Sequence, residues 1–330
     1  MKLLVVGGAG YIGSHMVQHL IGAGHAVVVA DNFSTGFRDA LVAAGSPEVA
    51  ALDIADAQAL SALLSLHRFD AVLHFASFIQ VGESVSEPGK YYANNLAATL
   101  TLLQAMVHAG VKRFIFSSTA AVYGDPVYVP IDETHPKVPI NPYGRSKWMV
   151  EQVLEDFDRA YGLKSVCLRY FNAAGADPAG LLGERHEPET HLIPLVLQAA
   201  SGRRKVITVF GRDYDTPDGT CIRDYIHVSD LVDAHALALD YLAGGGCSTA
   251  FNLGNGNGFS VQEVIDTARR VTGHAIDVVD APRRAGDPPR LVADASQARA
   301  VLGWKPQFAN LDTIVAHAWA WERRWPWLAE

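Results

Sequence analysis

The stretch "VVGGAGYIGSH", residues 5–15, decides the fold. It joins an apolar run, "KLLVV", to the start of a helical pattern through Gly7-x-x-Gly10-x-x-Gly13. Glycines at that spacing allow a tight strand-to-helix turn. They also let the backbone approach a pyrophosphate and let the helix pack closely on the strand. Tyr11 and Ile12 lie inside the turn and join the three glycines as candidate cofactor contacts. The next apolar run, "AVVVAD", ends in Asp31, followed by Asn32, near the interval of about 20 residues typical of a dinucleotide site. An aspartate there accepts the ribose hydroxyls of adenosine and repels a 2′-phosphate, which favours NAD over NADP.

Working outward, "DAVLHFA", "RFIFSS" and "SVCLRYFN" are apolar along nearly their whole length. Such runs suit strands of a parallel sheet covered on both faces. "SHMVQHLIGAG" and "NNLAATLTLLQAMVHAG" carry helical periodicity and stop near glycine. The alternation predicts an α/β fold, a Rossmann-type doubly wound parallel sheet with ligands at the carboxyl ends of its strands. "LDIAD" puts Asp53 and Ile54 at a further strand end. Asp53 is there either an adenine contact or the cap of a helix over "AQALSALL".

Beyond about residue 172 glycine, proline and charge become frequent. The expected division is a dinucleotide-binding domain over 1–172, completed by a segment near 223–250. A smaller C-terminal α/β substrate domain would span 173–330. The chain has 330 residues, 49% hydrophobic and 19% charged, enough for a sizeable core. A net charge of −8 argues against nucleic acid or an anionic membrane as partner. Cys167, Cys221 and Cys247 have neither disulfide-scaffold nor zinc spacing and fit free thiols of a reducing compartment. With no targeting segment and no apolar run of membrane length, a cytoplasmic protein is expected.

"NPYGRSKW", residues 141–148, sets Tyr143 four places before Lys147, ahead of an amphipathic helical pattern. The two side chains then share one helix face. A phenol near pKa 10 is a poor base at neutral pH. A neighbouring ammonium and the positive nicotinamide of NAD⁺ favour the phenolate. The pair can then take a proton from an alcohol while hydride leaves the carbon. "FIFSSTAAVYG" supplies a hydroxyl partner from Ser117, Ser118 and Thr119.

Together with "VGESV", "YYANN", "RYFNAAGA", "GRDYDTPDGTCIRDYIHV", "FNLGNG", "RRAGD" and "ADASQAR", these motifs span nearly the whole chain. The sequence resembles the short-chain dehydrogenase/reductase superfamily in its extended branch of sugar-nucleotide 4-epimerases. The resemblance implies an isomerase that interconverts UDP-glucose and UDP-galactose through a 4-keto sugar, with NAD retained and a homodimer as the assembly. It implies Thr119, Tyr143 and Lys147 as catalytic residues. Phe75, Ala76, Asn94, Lys147 and Tyr170 join the cofactor site. Asn95, Phe171, Asn172, His191, Leu192, Arg223, Arg284 and Asp287 line the UDP-sugar site, and Thr208 to Phe210 edge the uracil. Leu291 is the expected wall beside the sugar 2-position, where small residues in the family go with N-acetylated substrates. Related 4,6-dehydratases follow the catalytic Thr with Asp-Glu. Ala120 and Ala121 stand there instead, which argues against loss of water. His191 replaces an Asn of some members, and Ile79 a Lys. "ERHEPETH", residues 184–191, lacks the HExxH spacing, and no metal is expected there.

Overall fold

The computed structural model describes residues 1–284 and 287–324. Six strands form in the first half of the chain: β1 (Lys2–Val6), β2 (Ala26–Asp31), β3 (Glu48–Ala51), β4 (Ala71–His74), β5 (Arg113–Thr119) and β6 (Lys164–Tyr170). A seventh, Thr249–Leu253, adds beside β6. All pair in parallel, and the order across the sheet is seventh-6-5-4-1-2-3. The order reverses between β1 and β4, the place where doubly wound sheets bind their ligands.

Alternation of side chains explains why the runs are apolar throughout. Leu3, Val5, Val29, Leu73, Ile115 and Leu168 face one layer, with Met16 of α1 (Tyr11–Gly22) and Leu231 and Leu239 of the helix Val228–Ala243. Leu4, Val6, Val28, Val72, Phe114 and Phe116 face the other, against Leu60, Leu102, Met106, Val150 and Leu154. Only β3, at the edge, departs: Glu48, Val49 and Ala51 are exposed. Among the described residues no helix is long and apolar enough to cross a membrane.

The second half builds its own core. The helices Leu192–Ala200, Val261–Thr272 and Leu311–Glu322 bury Val196, Ile265 and Ile314 together. Two short ladders border that core, and Ile207 and Val209 of the first are buried in it. Ile207–Phe210 pairs with Val278–Ala281, and Ile222–Arg223 lies between Phe259–Ser260 and Arg290–Leu291. The predicted helix over 94–110 is divided. Tyr92–Ala98 is a π-helix, and the α-helix begins at Thr99. The wide turn buries Asn95 beneath the β4 loop. Cys167 and Cys221 are buried and Cys247 exposed, all unpaired.

Candidate active site

The carboxyl ends of β1, β2, β4, β5 and β6 form one continuous edge. At the β1 end, a Cβ on Gly13 would lie 2.1 Å from the Gly7 carbonyl oxygen, so α1 can pack on the turn only without one. Gly10 caps α1 with no side chain, which leaves the first-turn N–H groups to an anion. Tyr11 donates from its hydroxyl to the Gly175 carbonyl at 2.7 Å, and Ile12 packs under the turn. Asp31 is buried. One carboxylate oxygen accepts from the Ala9 amide at 2.9 Å and the other from Phe33 at 2.8 Å. Burial raises its pKa, and those amides and Arg38 pull it back. Asn32 donates to Asp53 at 2.9 Å. The helix after Asp53 is capped by Asp56, which accepts from Gln58 and Ala59 at 3.0 Å, so Asp53 is free of that duty. Ile54 is buried below it. Glycine turn, open helix end and tethered carboxylate together fit a dinucleotide.

Further along, Phe75 packs on His235, and Ala76 presses against Gly7. Tyr170 hydrogen-bonds Ser117 through its hydroxyl. Ser118 turns the other way and donates to Glu151 at 2.5 Å. Thr119, the last residue of β5, accepts from the Ala121 amide at 3.1 Å and caps the short turn Ala120–Val122. Its hydroxyl proton is left free and faces the Tyr143 phenol closely enough to favour release of the phenol proton.

Tyr143 sits there for local reasons. Asn141 caps the helix Pro142–Tyr161 by accepting from Gly144 at 2.8 Å, and Pro142 takes the first position, where no N–H is needed. A Cβ on Gly144 would lie 2.4 Å from the Ala121 carbonyl oxygen. Its absence lets the helix start touch the Thr119 turn. One turn on, Lys147 is buried and donates to Ser77 Oγ and to the Ser117 carbonyl, each at 2.7 Å. Burial lowers its pKa to about 7, against the pull of Glu151. Burial also raises the Tyr143 pKa, and the Thr119 hydroxyl works against that.

Residues 3–254 match the profile of the NAD dependent epimerase/dehydratase family. The chain belongs to that family. It is 52% identical over 326 residues to the UDP-glucose 4-epimerase of Halalkalibacterium halodurans, covering 99% of this chain and 97% of that one. The solved UDP-glucose 4-epimerase of Brucella ovis, in complex with NAD, is 49% identical, with a TM-score of 0.94 and coverage of 96% and 97%. That of Bifidobacterium longum, with NAD⁺ and UDP, is 40% identical, with a TM-score of 0.93 and 99% of both chains covered.

The epimerase/dehydratase fold brings most of the remaining candidates to one side of this edge. Arg223 faces Asp287 at 3.4 Å, Arg284 donates to Asp287 at 2.9 Å, and the Arg284 guanidinium lies 4.9 Å from the centre of the Phe210 ring. Thr208 and Phe210 stand on the strand beside Val279 and Ala281. Asn172 donates to the Asp224 carbonyl at 2.9 Å, and the buried Asp224 carboxylate accepts from Asn255, Gly256 and Ala293. Leu291 pairs with Arg223 in register and, like Phe171 and Ala120, packs against the cluster of Val122, Tyr123 and Ile131. Ala285 and Gly286 of the "RRAGD" run lie outside the described residues.

Four of the expected site residues have partners within the protein. Asn95 is buried, and its carboxamide bonds both the amide and the carbonyl of Phe78, at 2.9 and 3.0 Å, so it holds the β4 loop and does not face a sugar. Asn94 donates to Asn95 at 2.9 Å. His191 turns its Nδ1 to Glu184 at 2.8 Å, and Leu192 begins the next helix against the C-terminal core. Sequence reading missed Ser77 and Gly144. It also missed a buried pair behind the catalytic helix, in which Arg169 binds Glu151 bidentately and reaches Tyr123 at 3.0 Å. Only contact across distant segments identifies these residues.

Proposed function

We propose that this chain interconverts UDP-glucose and UDP-galactose by transient oxidation at sugar C4, with NAD held throughout the cycle. The observation that carries the reading is the Thr119 hydroxyl set where it favours loss of the Tyr143 proton, one helical turn from buried Lys147, with two alanines and no acid following Thr119. Tyr143 takes the proton of the 4-hydroxyl, and the Thr119 hydroxyl holds the phenol oxygen in line. Lys147 has two of its three N–H groups committed to Ser77 and Ser117, which leaves one for the nicotinamide ribose or the phenol. The cofactor supplies hydride acceptance from C4 and hydride return. Ala120 and Ala121 offer no acid or base to eliminate water, so the 4-keto sugar proceeds only to rotation and reprotonation by Tyr143.

Arg223, Arg284 and the open start of the helix at Leu192 supply donors for a diphosphate. Phe210 and Thr208 offer a strand edge to a pyrimidine. The reading extends to a cytoplasmic homodimer. Free cysteines support the compartment, and Val85 and Met149, exposed on two helices that pack together, support the contact. The test is incubation of purified protein with UDP-galactose and no added NAD. UDP-glucose should form without net absorbance of NADH. Stoichiometric NADH release would instead make the enzyme a net dehydrogenase.

A further inference from the structure

The segment between Gly175 and Leu192 carries a second side-chain cluster that the proposed reaction does not use. Glu184, His186, Glu189 and His191 place one ligand atom each within 4.8 Å of one another. Both carboxylate side chains are only 6% exposed. His186 Nδ1 lies 3.3 Å from Glu184 Oε1 and 3.5 Å from Glu189 Oε2. His191 Nδ1 lies 2.8 Å from Glu184 Oε1 and 3.2 Å from Glu189 Oε1. We propose that these four side chains bind a structural Zn²⁺ ion.

Three features support the assignment. The first is spacing. Ligands about 2.0–2.1 Å from a tetrahedral zinc stand about 3.3 Å apart, and the four nitrogen–oxygen separations bracket that value. The second is orientation. Both Nδ1 atoms are buried, each within 3.5 Å of two carboxylate oxygens, yet neither is aligned with one as a hydrogen bond requires. A self-contained set of imidazole–carboxylate pairs would align N–H with oxygen. Lone pairs that converge on one point do not. The third is charge. Two carboxylates and two neutral imidazoles balance one divalent cation.

The surroundings fix the ligands as an outer shell does. The Glu189 carboxylate accepts from the amides of Thr190 at 2.7 Å and His191 at 2.8 Å. The Glu184 carbonyl accepts from the Trp321 indole at 2.9 Å. The His186 ring meets the Tyr11 ring edge-on, with centroids 6.4 Å apart. Tyr11 belongs to the glycine turn, so the ion would pin the 175–191 segment against the start of α1. The spacing 184, 186, 189, 191 has no regular helical or strand period and is not that of HExxH, so the sequence alone carried no metal signature.

The test uses untagged full-length protein, dialysed without chelator and analysed for metal by mass spectrometry. About one Zn²⁺ per chain is expected. After stripping with dipicolinate, added Zn²⁺ should raise the melting temperature with saturation near one equivalent, and Mg²⁺ should not. The His186→Ala/Glu189→Gln double variant should lose the zinc while keeping its circular dichroism spectrum. Stripped wild type that neither takes up zinc nor gains thermal stability would overturn the proposal. So would a double variant that holds as much zinc as wild type. Because the wild-type titration needs no variant, a misfolded variant leaves the test intact.

Discussion

Tyr143 is under opposed influences. Burial keeps its proton on, and the Thr119 hydroxyl favours its release. Lys147, lowered to about 7, is only partly charged near neutrality. The chain alone therefore holds the phenol protonated. Proton removal follows when a further positive charge adjoins it, which couples the base to the oxidised form of the cofactor. Tyr143→Phe deletes only the acid–base oxygen. Turnover should fall by about 10² to 10⁴, with cofactor content of the purified protein unchanged. Single-turnover kinetics and cofactor absorbance check it, and near wild-type turnover would remove Tyr143 from its role. Thr119, Tyr143 and Lys147 were legible because their reasons are local: a strand end, a cap and a four-residue interval. Ser77, Glu151 and Arg169 were not, because each acts through a partner at least 18 positions away.

At the scale of elements, the site depends on how closely the helix Pro142–Tyr161 meets the turn after β5. Gly144→Ala puts a methyl group 2.4 Å from the Ala121 carbonyl oxygen and must separate the two elements. A misplacement near 1 Å costs about 10²-fold in rate. The expected result is that loss in kcat with cofactor binding retained, and an active Gly144→Ala enzyme would show that the contact is not what positions Tyr143. The short strand Arg290–Leu291 sets the opposite wall, where Leu291 packs against the same Val122, Tyr123 and Ile131 cluster as Phe171 and as Ala120, next to Thr119. An acetamido group needs room there, and a packed wall resists added volume by about 1–3 kcal/mol. Leu291→Ala should raise kcat/KM for UDP-N-acetylglucosamine more than for UDP-glucose. A ratio of the two constants that does not move would free Leu291 of the gating role. Element by element, the buried strands β1, β2, β4, β5 and β6 were readable as unbroken apolar runs. Edge strand β3 has no such run, and the two-residue strands near 222, 259 and 290 exist only through each other. The π-turn at Tyr92–Ala98 has no periodicity to announce it.

Across the whole molecule, four buried imidazoles couple stability to pH. Burial lowers His15 and His235 to about 4, and His74 and His227 to about 3. Between pH 6.5 and those values the unfolded chain binds protons that the folded chain refuses. The contribution of these four rings is therefore full above about pH 6.5 and falls as pH drops, by about 1.4 kcal/mol per pH unit for each imidazole fully engaged. Urea midpoints should decline from pH 7 to pH 5, and a flat profile would mean that these rings are protonated in the fold. The same molecule holds the acid–base groups and the cofactor turn on strand ends along one sheet edge. That arrangement lets hydride leave and return within one bound complex. The most direct test is UDP-galactose deuterated at C4, turned over in ordinary water with unlabelled NAD⁺ added. The account predicts UDP-glucose that keeps deuterium at C4. Loss of the label to solvent or to the added NAD pool would contradict it.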